Sequence, residues 1–119
     1  MNSLQASDAL AASVAVAPRV TLANIEAAIE HTFYFTGHRA VLMTSAVGRT
    51  VPRELETLTI CLMVLKNGFT VVGKSAAASP ENFDAEVGRK FAYDDGVRQL
   101  WPLMGFALRD KLAQENIRG

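Results

Sequence analysis

Residues 58–75 read LTICLMVLKNGFTVVGKS and carry the clearest local signal in the chain. Two runs rich in apolar and β-branched residues flank Asn67-Gly68, a dipeptide that tolerates the positive φ angles of a two-residue hairpin turn. The first run is apolar at consecutive positions, which is typical of a strand covered on both faces. The stretch therefore predicts an antiparallel β-hairpin. Its predicted pairs are Lys66 with Phe69, Val64 with Val71, and Leu62 with Gly73.

A helix is the alternative for the first of these runs. Pro52 suits the first turn of a helix and Gly68 suits the position just after a last turn, so a helix through Glu54 to Gly68 remains open. The β-branched content of the run and the immediate continuation Phe69-Thr70-Val71-Val72 favour the hairpin.

Upstream of the hairpin, apolar residues recur at helical spacing after Thr21, which suits an N-cap. The spacing predicts a short amphipathic helix over residues 22–32. Residues 37–53 contain glycine, serine and threonine and end near Pro52, which predicts a loop with a short strand around Ala40–Met43.

Downstream of the hairpin, Ser79-Pro80 predicts the start of a helix that runs from Pro80 to about Leu100. Pro102 is expected to kink or break it, because proline lacks an N–H and clashes with the preceding turn. A last helix is predicted beyond Pro102. The fold class is therefore α+β: an N-terminal helix, a hairpin in a small antiparallel sheet, and a long helix kinked or broken near its end.

The chain has 119 residues, which fits one domain. Residues 1–18, rich in alanine, serine and valine, are expected to form a flexible arm, and residues 19–119 a single domain. The longest apolar run is far shorter than the roughly 20 residues of a membrane span. The first residues lack the basic start and the uninterrupted apolar middle of a signal peptide, so none is predicted. The single cysteine, Cys61, lies in the apolar run and is expected to be buried, as in a protein of a reducing cytoplasm.

Catalytic and metal templates are not matched by this sequence. His31 and His38 are the only histidines, and no cysteine or carboxylate completes a metal site with them. GFTVVGKS, residues 68–75, fits the letters of a phosphate-binding loop. Its middle is strand-like and apolar, however, and the next helix starts too late, so the match is read as accidental. The sequence predicts a protein with no enzymatic activity, no cofactor and no metal.

Positive charge is unevenly distributed in a chain whose formal net charge is zero. No Asp or Glu lies between Glu30 and Glu54, whereas several arginines do. This segregation predicts a basic patch that binds phosphate or an acidic partner. The neutral charge of the whole chain argues against general duplex binding. The predicted patch residues are Arg39, Arg49, Arg53, Lys66 and Lys74.

Small residues recur every four positions in the helix after Pro80, at Gly88, Ala92 and Gly96. Each interior glycine costs about 1 kcal/mol of helix propensity relative to alanine, which makes sense if another backbone approaches closely. The sequence alone leaves open whether that backbone belongs to the sheet or to a second copy. The further apolar faces of the helix favour an oligomer interface at these three residues, in a homodimer.

The stretch from Leu58 to Leu112 contains the segments Asn67-Gly68-Phe69-Thr70, Gly73 with Ser75-Ala76, Ser79-Pro80-Glu81-Asn82-Phe83-Asp84, Gly88-Arg89-Lys90 and Trp101-Pro102-Leu103. Together these segments resemble the tailed-phage gene 49 / gene 66 family, whose members have no assigned function. The chain has Gly105-Phe106 where members commonly have Gly-Tyr. The resemblance implies a phage or prophage protein expressed in the host cytoplasm and supplies no catalytic residues.

Together with the charge pattern, the resemblance suggests an accessory protein that binds a host protein or a phosphorylated small ligand, in host take-over or counter-defence. A nucleic-acid-binding regulator is the alternative.

Overall fold

The computed structural model describes residues 2–45, 48 and 50–118. It confirms an α+β fold, in which a three-stranded antiparallel sheet packs against one long helix. Its helices are α1 Ser3–Val14, α2 Leu22–Ala28, α3 Gly37–Thr44 and α4 Ala85–Arg118, its strands are β1 Ile29–Thr36, β2 Leu58–Leu65 and β3 Thr70–Ala76, and short 3-10 segments cover Arg53–Thr57 and Pro80–Asn82.

The sheet has the order β1-β2-β3, so β2 is central and buries every second side chain against α4. This alternation follows from the two-residue period of a strand. The core lies between the α4 side of the sheet, α4 itself and the two N-terminal helices. Its buried apolar members are Leu4, Ile25, Cys61, Met63, Leu65, Val71, Ala92, Val97 and Leu100.

The hairpin is confirmed, but its predicted register is wrong by one residue. Val64 pairs with Thr70 and Leu62 with Val72, and the Leu65 N–H donates to the Phe69 carbonyl at 2.8 Å. The loop therefore has three residues and ends on Gly68, whose φ is +88°. A three-residue loop closes with one left-handed residue after an ordinary turn, so glycine is required at one position and not at two.

The segment between α2 and the hairpin differs from the sequence-based expectation. The helix predicted over residues 22–32 ends at Ala28, and β1 follows at once as the first strand of the sheet. The strand predicted around Ala40–Met43 is instead α3, whose N-cap Thr36 accepts from the Arg39 N–H at 3.1 Å. The sequence IEHTFYFT is rich in aromatic and β-branched residues, which suit a half-exposed edge strand better than a helix.

Residues 1–18, predicted as a flexible arm, contain α1. A capping box starts this helix, because the Asn2 side chain accepts from the Gln5 N–H while the Gln5 side chain accepts from the Asn2 N–H. Leu4 is buried in the core. An alanine-rich segment forms a helix where a neighbouring element packs against one of its faces, and the sequence alone does not show that neighbour.

Asp8 of α1 ties this helix to the chain that enters α2. Its carboxylate lies 2.9 Å from Arg19 Nη1 and accepts from the Leu22 N–H at 3.1 Å, and these bonds, Arg19 first, hold the pKa of Asp8 below its ordinary 3.8. A lowered pKa in the folded state means that the contact stabilises the fold above pH 3.8 and is lost as the pH falls through the lowered value.

We expect an NMR titration of the Asp8 carboxyl to give a midpoint below 3.8 in the wild type. In Arg19→Gln the midpoint should rise toward 3.8, because the largest cause of the shift is removed. Amides of α1 should also lose hydrogen-exchange protection in acid before those of the sheet. Equal midpoints in the two proteins would show that Arg19 does not hold this carboxylate in solution.

α4 is one continuous helix of 34 residues that runs through Pro102 without ending there, so no separate last helix follows. It begins later than predicted, because Pro80 starts a short 3-10 segment and not α4. Asp84 acts as the N-cap: its side chain accepts from the Val87 N–H at 3.0 Å and its carbonyl from the Gly88 N–H at 2.8 Å.

Candidate functional site

The predicted basic patch does not form one surface. Arg39 lies in α3, and Arg53 starts the 3-10 segment that packs beside α3, so these two exposed arginines share one end of the sheet. Lys66 lies in the hairpin loop at the other end of β2. At about 3.3 Å of rise per residue, the length of β2 separates Lys66 from that end by roughly 25 Å. Arg49 lies outside the described residues.

Acidic side chains accompany the two arginines at the α3 end. Glu54 and Glu56 lie in the same 3-10 segment as Arg53. The Oε1 atom of Glu56 is 3.8 Å from Nε2 of His38, which is the second residue of α3. This end of the molecule is therefore of mixed charge, a result that weakens the case for a phosphate site built on the arginines.

Gly73-Lys74-Ser75 lies within β3 and has the extended conformation of a strand. The Lys74 N–H donates to Oδ2 of Asp95 at 2.9 Å. A phosphate-binding loop instead curls several free N–H groups around an anion, and a carboxylate at this position repels one. The geometry agrees with the reading of the sequence match as accidental.

The small residues of α4 face the sheet of the same chain. A Cβ added at Gly73 of β3 would overlap the carbonyl oxygen of Ala92, which is fully buried. A Cβ at Gly96 would lie 2.6 Å from Cε of Met63, and one at Gly88 would lie 2.7 Å from a threonine hydroxyl of β2. The close approach expected from the stripe is real, but its partner is the sheet. Gly88, Ala92 and Gly96 are therefore intramolecular packing positions. The homodimer is still a prediction, but these three residues no longer support it.

The face of the sheet opposite α4, which we call the open face, presents a three-by-three grid of side chains. Its middle row joins Phe33, Leu62 and Val72, and it is apolar across all three strands. Phe33 is 56% exposed and Val72 is 51% exposed, with Leu62 half-buried between them. The grid consists of His31, Phe33 and Phe35 of β1, Ile60, Leu62 and Val64 of β2, and Thr70, Val72 and Lys74 of β3.

The outer rows of the open face place polar groups at its margin. The row of Val64 ends in His31 and Thr70, and the row of Ile60 ends in Lys74. The ring centroids of His31 and Phe33 are 6.1 Å apart in a stacked arrangement. The grid contains one lysine and no carboxylate. The open face thus has an apolar centre and a polar margin that includes one lysine.

A groove of about 640 Å³ lies between α1 and α4, beside Trp101. Arg19 and Arg98 line it, but Arg19 is bound to Asp8 and Arg98 donates to Oγ of Ser3 at 3.0 Å. Both guanidinium groups thus hold α1 in place. The groove therefore lies along the contact between α1 and α4.

Cys61 faces α4 and has no exposed surface, as expected from the sequence. Burial raises the pKa of its thiol above the ordinary 9.0, and a hydrogen bond with Tyr34 opposes this effect only in part. A buried, protonated thiol is a packing group and not a nucleophile. Across residues 2–45, 48 and 50–118, no cluster of three or more His, Cys, Asp or Glu side chains could hold a metal ion.

The open face was not predicted from the sequence, because residues 29–32 of β1 have the apolar spacing of the helix expected over residues 22–32. The signal was present in IEHTFYFT, where three consecutive aromatic residues and two threonines suit a strand. Recognising that segment as a strand would have placed Phe33 beside Leu62 in a three-stranded sheet.

Comparison with known proteins gives a family and no closer relative. The sequence model of the phage protein (N4 Gp49/phage Sf6 gene 66) family matches residues 20–112, from just before α2 to the last third of α4, and leaves α1 outside. No curated protein and no solved structure matches the chain. Among the described helices, none is both long and apolar enough to cross a membrane. Because the match covers well over half of the chain, the protein belongs to the phage protein (N4 Gp49/phage Sf6 gene 66) family.

Proposed function

We propose that the chain is a non-enzymatic phage accessory protein that binds a protein of the host cell through the open face. The observation that carries the proposal is the apolar row of Phe33, Leu62 and Val72, which none of the described helices covers and whose two outer members are about half exposed. Singly exposed apolar residues are ordinary on protein surfaces, whereas a contiguous exposed group marks an interaction site.

The dimensions of the open face suit one element of a partner. Three strands about 4.8 Å apart, with side chains over some 20 Å of strand, form a surface roughly 14 Å wide and 20 Å long. An α-helix about 10 Å across fits on such a surface with its apolar side down. Lys74 at the margin favours an acidic residue on the partner.

The division of the basic residues makes a phosphorylated small ligand the weaker candidate. Such a ligand is held by several cations that converge on one pocket. Here Arg39 and Arg53 lie beside Glu54 and Glu56, and Lys66 lies at the far end of β2. The same division weakens the nucleic-acid alternative, which needs a continuous basic track.

A host-lysate binding experiment with two matched valine variants tests the proposal. Val72→Asp places a charge in the apolar row, while Val87→Asp makes the same substitution on α4, where Val87 is 45% exposed. We expect the wild type and Val87→Asp to retain the same host protein at equal levels. Val72→Asp should retain at least about tenfold less, because burying an unpaired carboxylate at an interface costs more than 1.4 kcal/mol.

All three samples are analysed for protein, nucleic acid and small molecules. Retention that is equal in the three samples would contradict a role for the open face. Retained nucleic acid, with an affinity that falls steeply with salt and is lost in a double Arg39→Ala and Arg53→Ala variant, would support the regulator instead.

A further inference from the structure

The two edges of the sheet differ in how their backbone groups are satisfied. On the β3 edge, the Lys74 N–H donates to Asp95, and the Val72 carbonyl accepts from Nε2 of Gln99 at 2.7 Å. Both partners are side chains of α4. Covering an edge in this way is how proteins prevent a further strand from adding to a sheet.

The β1 edge has no such cover. The Leu65 N–H donates to the carbonyl of Phe69, the residue just before β3, so the odd-numbered residues of β2 direct their backbone groups to β3 and the even-numbered ones to β1. The backbone groups of β1 that bond to β2 are therefore those of His31, Phe33 and Phe35. Thr32 and Tyr34 direct their N–H and C=O groups outward, and no described residue bonds to these groups.

The composition of β1 does not block pairing at this edge. Edge strands that stay single usually carry lysine, proline or an inward-pointing charge. The strand IEHTFYFT contains neither lysine nor proline, and its one carboxylate, Glu30, lies near its start, at an irregularity between Ile29 and His31 that leaves Thr32 to Thr36 in regular register. Phe33 lies in the middle of the strand and is more than half exposed.

We propose that β1 pairs with β1 of a second copy in an antiparallel arrangement, with a two-fold axis at Phe33. The two three-stranded sheets then form one sheet of six strands, with both open faces on the same side. Thr32 of each copy exchanges its two backbone hydrogen bonds with Tyr34 of the other. The two Phe33 side chains meet as a non-hydrogen-bonded pair, in which cross-strand side chains are closest.

Charge favours a second copy over an unrelated strand. Glu30 is exposed near the start of β1, and Arg39 is exposed in the first turn of α3 just after its end. Neither makes an ion pair within the described chain. Antiparallel pairing about Phe33 brings Glu30 of one copy beside Thr36 of the other, where α3 and its positive N-terminus begin. The strand is thus complementary to itself.

Two Thr→Pro variants test the edge. Proline is tolerated on an edge strand where its missing N–H faces outward, so Thr32→Pro should fold and yet pair less tightly. Thr70→Pro makes the same change at an outward-facing position of β3, the edge that α4 covers. By light scattering, the wild type and Thr70→Pro should have twice the 12.9 kDa mass of one chain. In Thr32→Pro the dissociation constant should rise about tenfold or more, because hydrogen bonds at the axis are lost.

Disulfide trapping tests the register and does not depend on the folding of Thr32→Pro. Across a non-hydrogen-bonded pair the Cβ atoms are about 4.5–5.5 Å apart, near enough for a disulfide after a small adjustment. Phe33→Cys should therefore form a covalent dimer on mild oxidation, while Val72→Cys, on the same face but on the other edge strand, should not. The native Cys61 is buried and does not compete.

A wild-type mass of one chain at every concentration up to several hundred micromolar would overturn the proposal, as would trapping of Val72→Cys as readily as Phe33→Cys. The dimer does not rest on the proposed host-protein binding, and the two fail separately. Val72→Asp should reduce retention of the host protein at least about tenfold and leave the mass unchanged, whereas Thr70→Pro serves as the dimeric reference for both measurements.

Discussion

Gly73→Ala is expected to lower the free energy of unfolding by at least about 3 kcal/mol, or to prevent folding. The added methyl group would overlap the Ala92 carbonyl oxygen and lie 2.8 Å from the Gly96 nitrogen. Both are backbone atoms inside a regular helix, so α4 must move away from β3 as a unit. Urea unfolding followed by circular dichroism gives the change, and a loss of 3 kcal/mol would lower Tm by roughly 10 to 20 °C.

Two other alanine substitutions are matched controls for this effect. At Gly96 the added Cβ meets only the flexible end of Met63, which can move, so we expect a smaller loss than at Gly73. A Cβ added at Gly105 would have no atom within 4 Å apart from the adjacent backbone of its own helix, and Gly105→Ala should stabilise the helix by about 1 kcal/mol. If all three variants lose similar stability, the close packing of β3 on α4 is not what limits position 73.

Pro102→Ala should stabilise the second half of α4 by about 2–3 kcal/mol, the second largest effect that we expect. Pro102 lies inside a continuous helix, where it removes one N–H and its ring presses against the carbonyl of Arg98. The side chain is exposed, so alanine restores the hydrogen bond without opening a core cavity.

Hydrogen exchange is the appropriate measurement for Pro102→Ala, because the gain is local to the amides after residue 102. These amides should exchange more slowly by one to two orders of magnitude, as about 2–3 kcal/mol of local stability implies. Pro52→Ala is the control, since Pro52 lies before a 3-10 segment and interrupts no α-helix. Faster exchange in Pro102→Ala would mean that the proline ring makes packing contacts worth more than the missing bond.

The pattern of residues determined which segments belong to the hairpin and to the long helix. Consecutive apolar residues before Asn67-Gly68 and the Val-Val after it are compatible with a strand pair whatever their surroundings. The small residues Gly88, Ala92 and Gly96 of α4 also predicted that another backbone approaches this helix closely. What the stripe could not specify was the identity of the neighbour, which depends on the position of Gly73 in the folded sheet.

Short segments of mixed preference were decided by their tertiary neighbours. β1 contains Glu, His and Thr beside its aromatics, and it becomes a strand because β2 offers a free edge along its whole length. The hairpin register was settled by a choice between two and three loop residues, both of which suit Asn67-Gly68. Local sequence does not distinguish them, but burial of Cys61, Met63 and Leu65 against α4 does, because a one-residue slip turns Val71 and Gly73 away from the helix.

By itself, the sequence determined the α+β class, the hairpin, the long C-terminal helix, a buried Cys61 and the resemblance to a phage family that the family match then confirmed. These properties depend on periodicity, turn residues and motifs, all of which involve residues that are close together in the sequence. The tertiary structure alone decided that α1 packs on the domain, that the basic residues are divided between two ends, and that one sheet face and one edge are left uncovered. Each of these depends on which surfaces meet, since the same side chains are exposed or buried according to where distant segments of the chain come to lie.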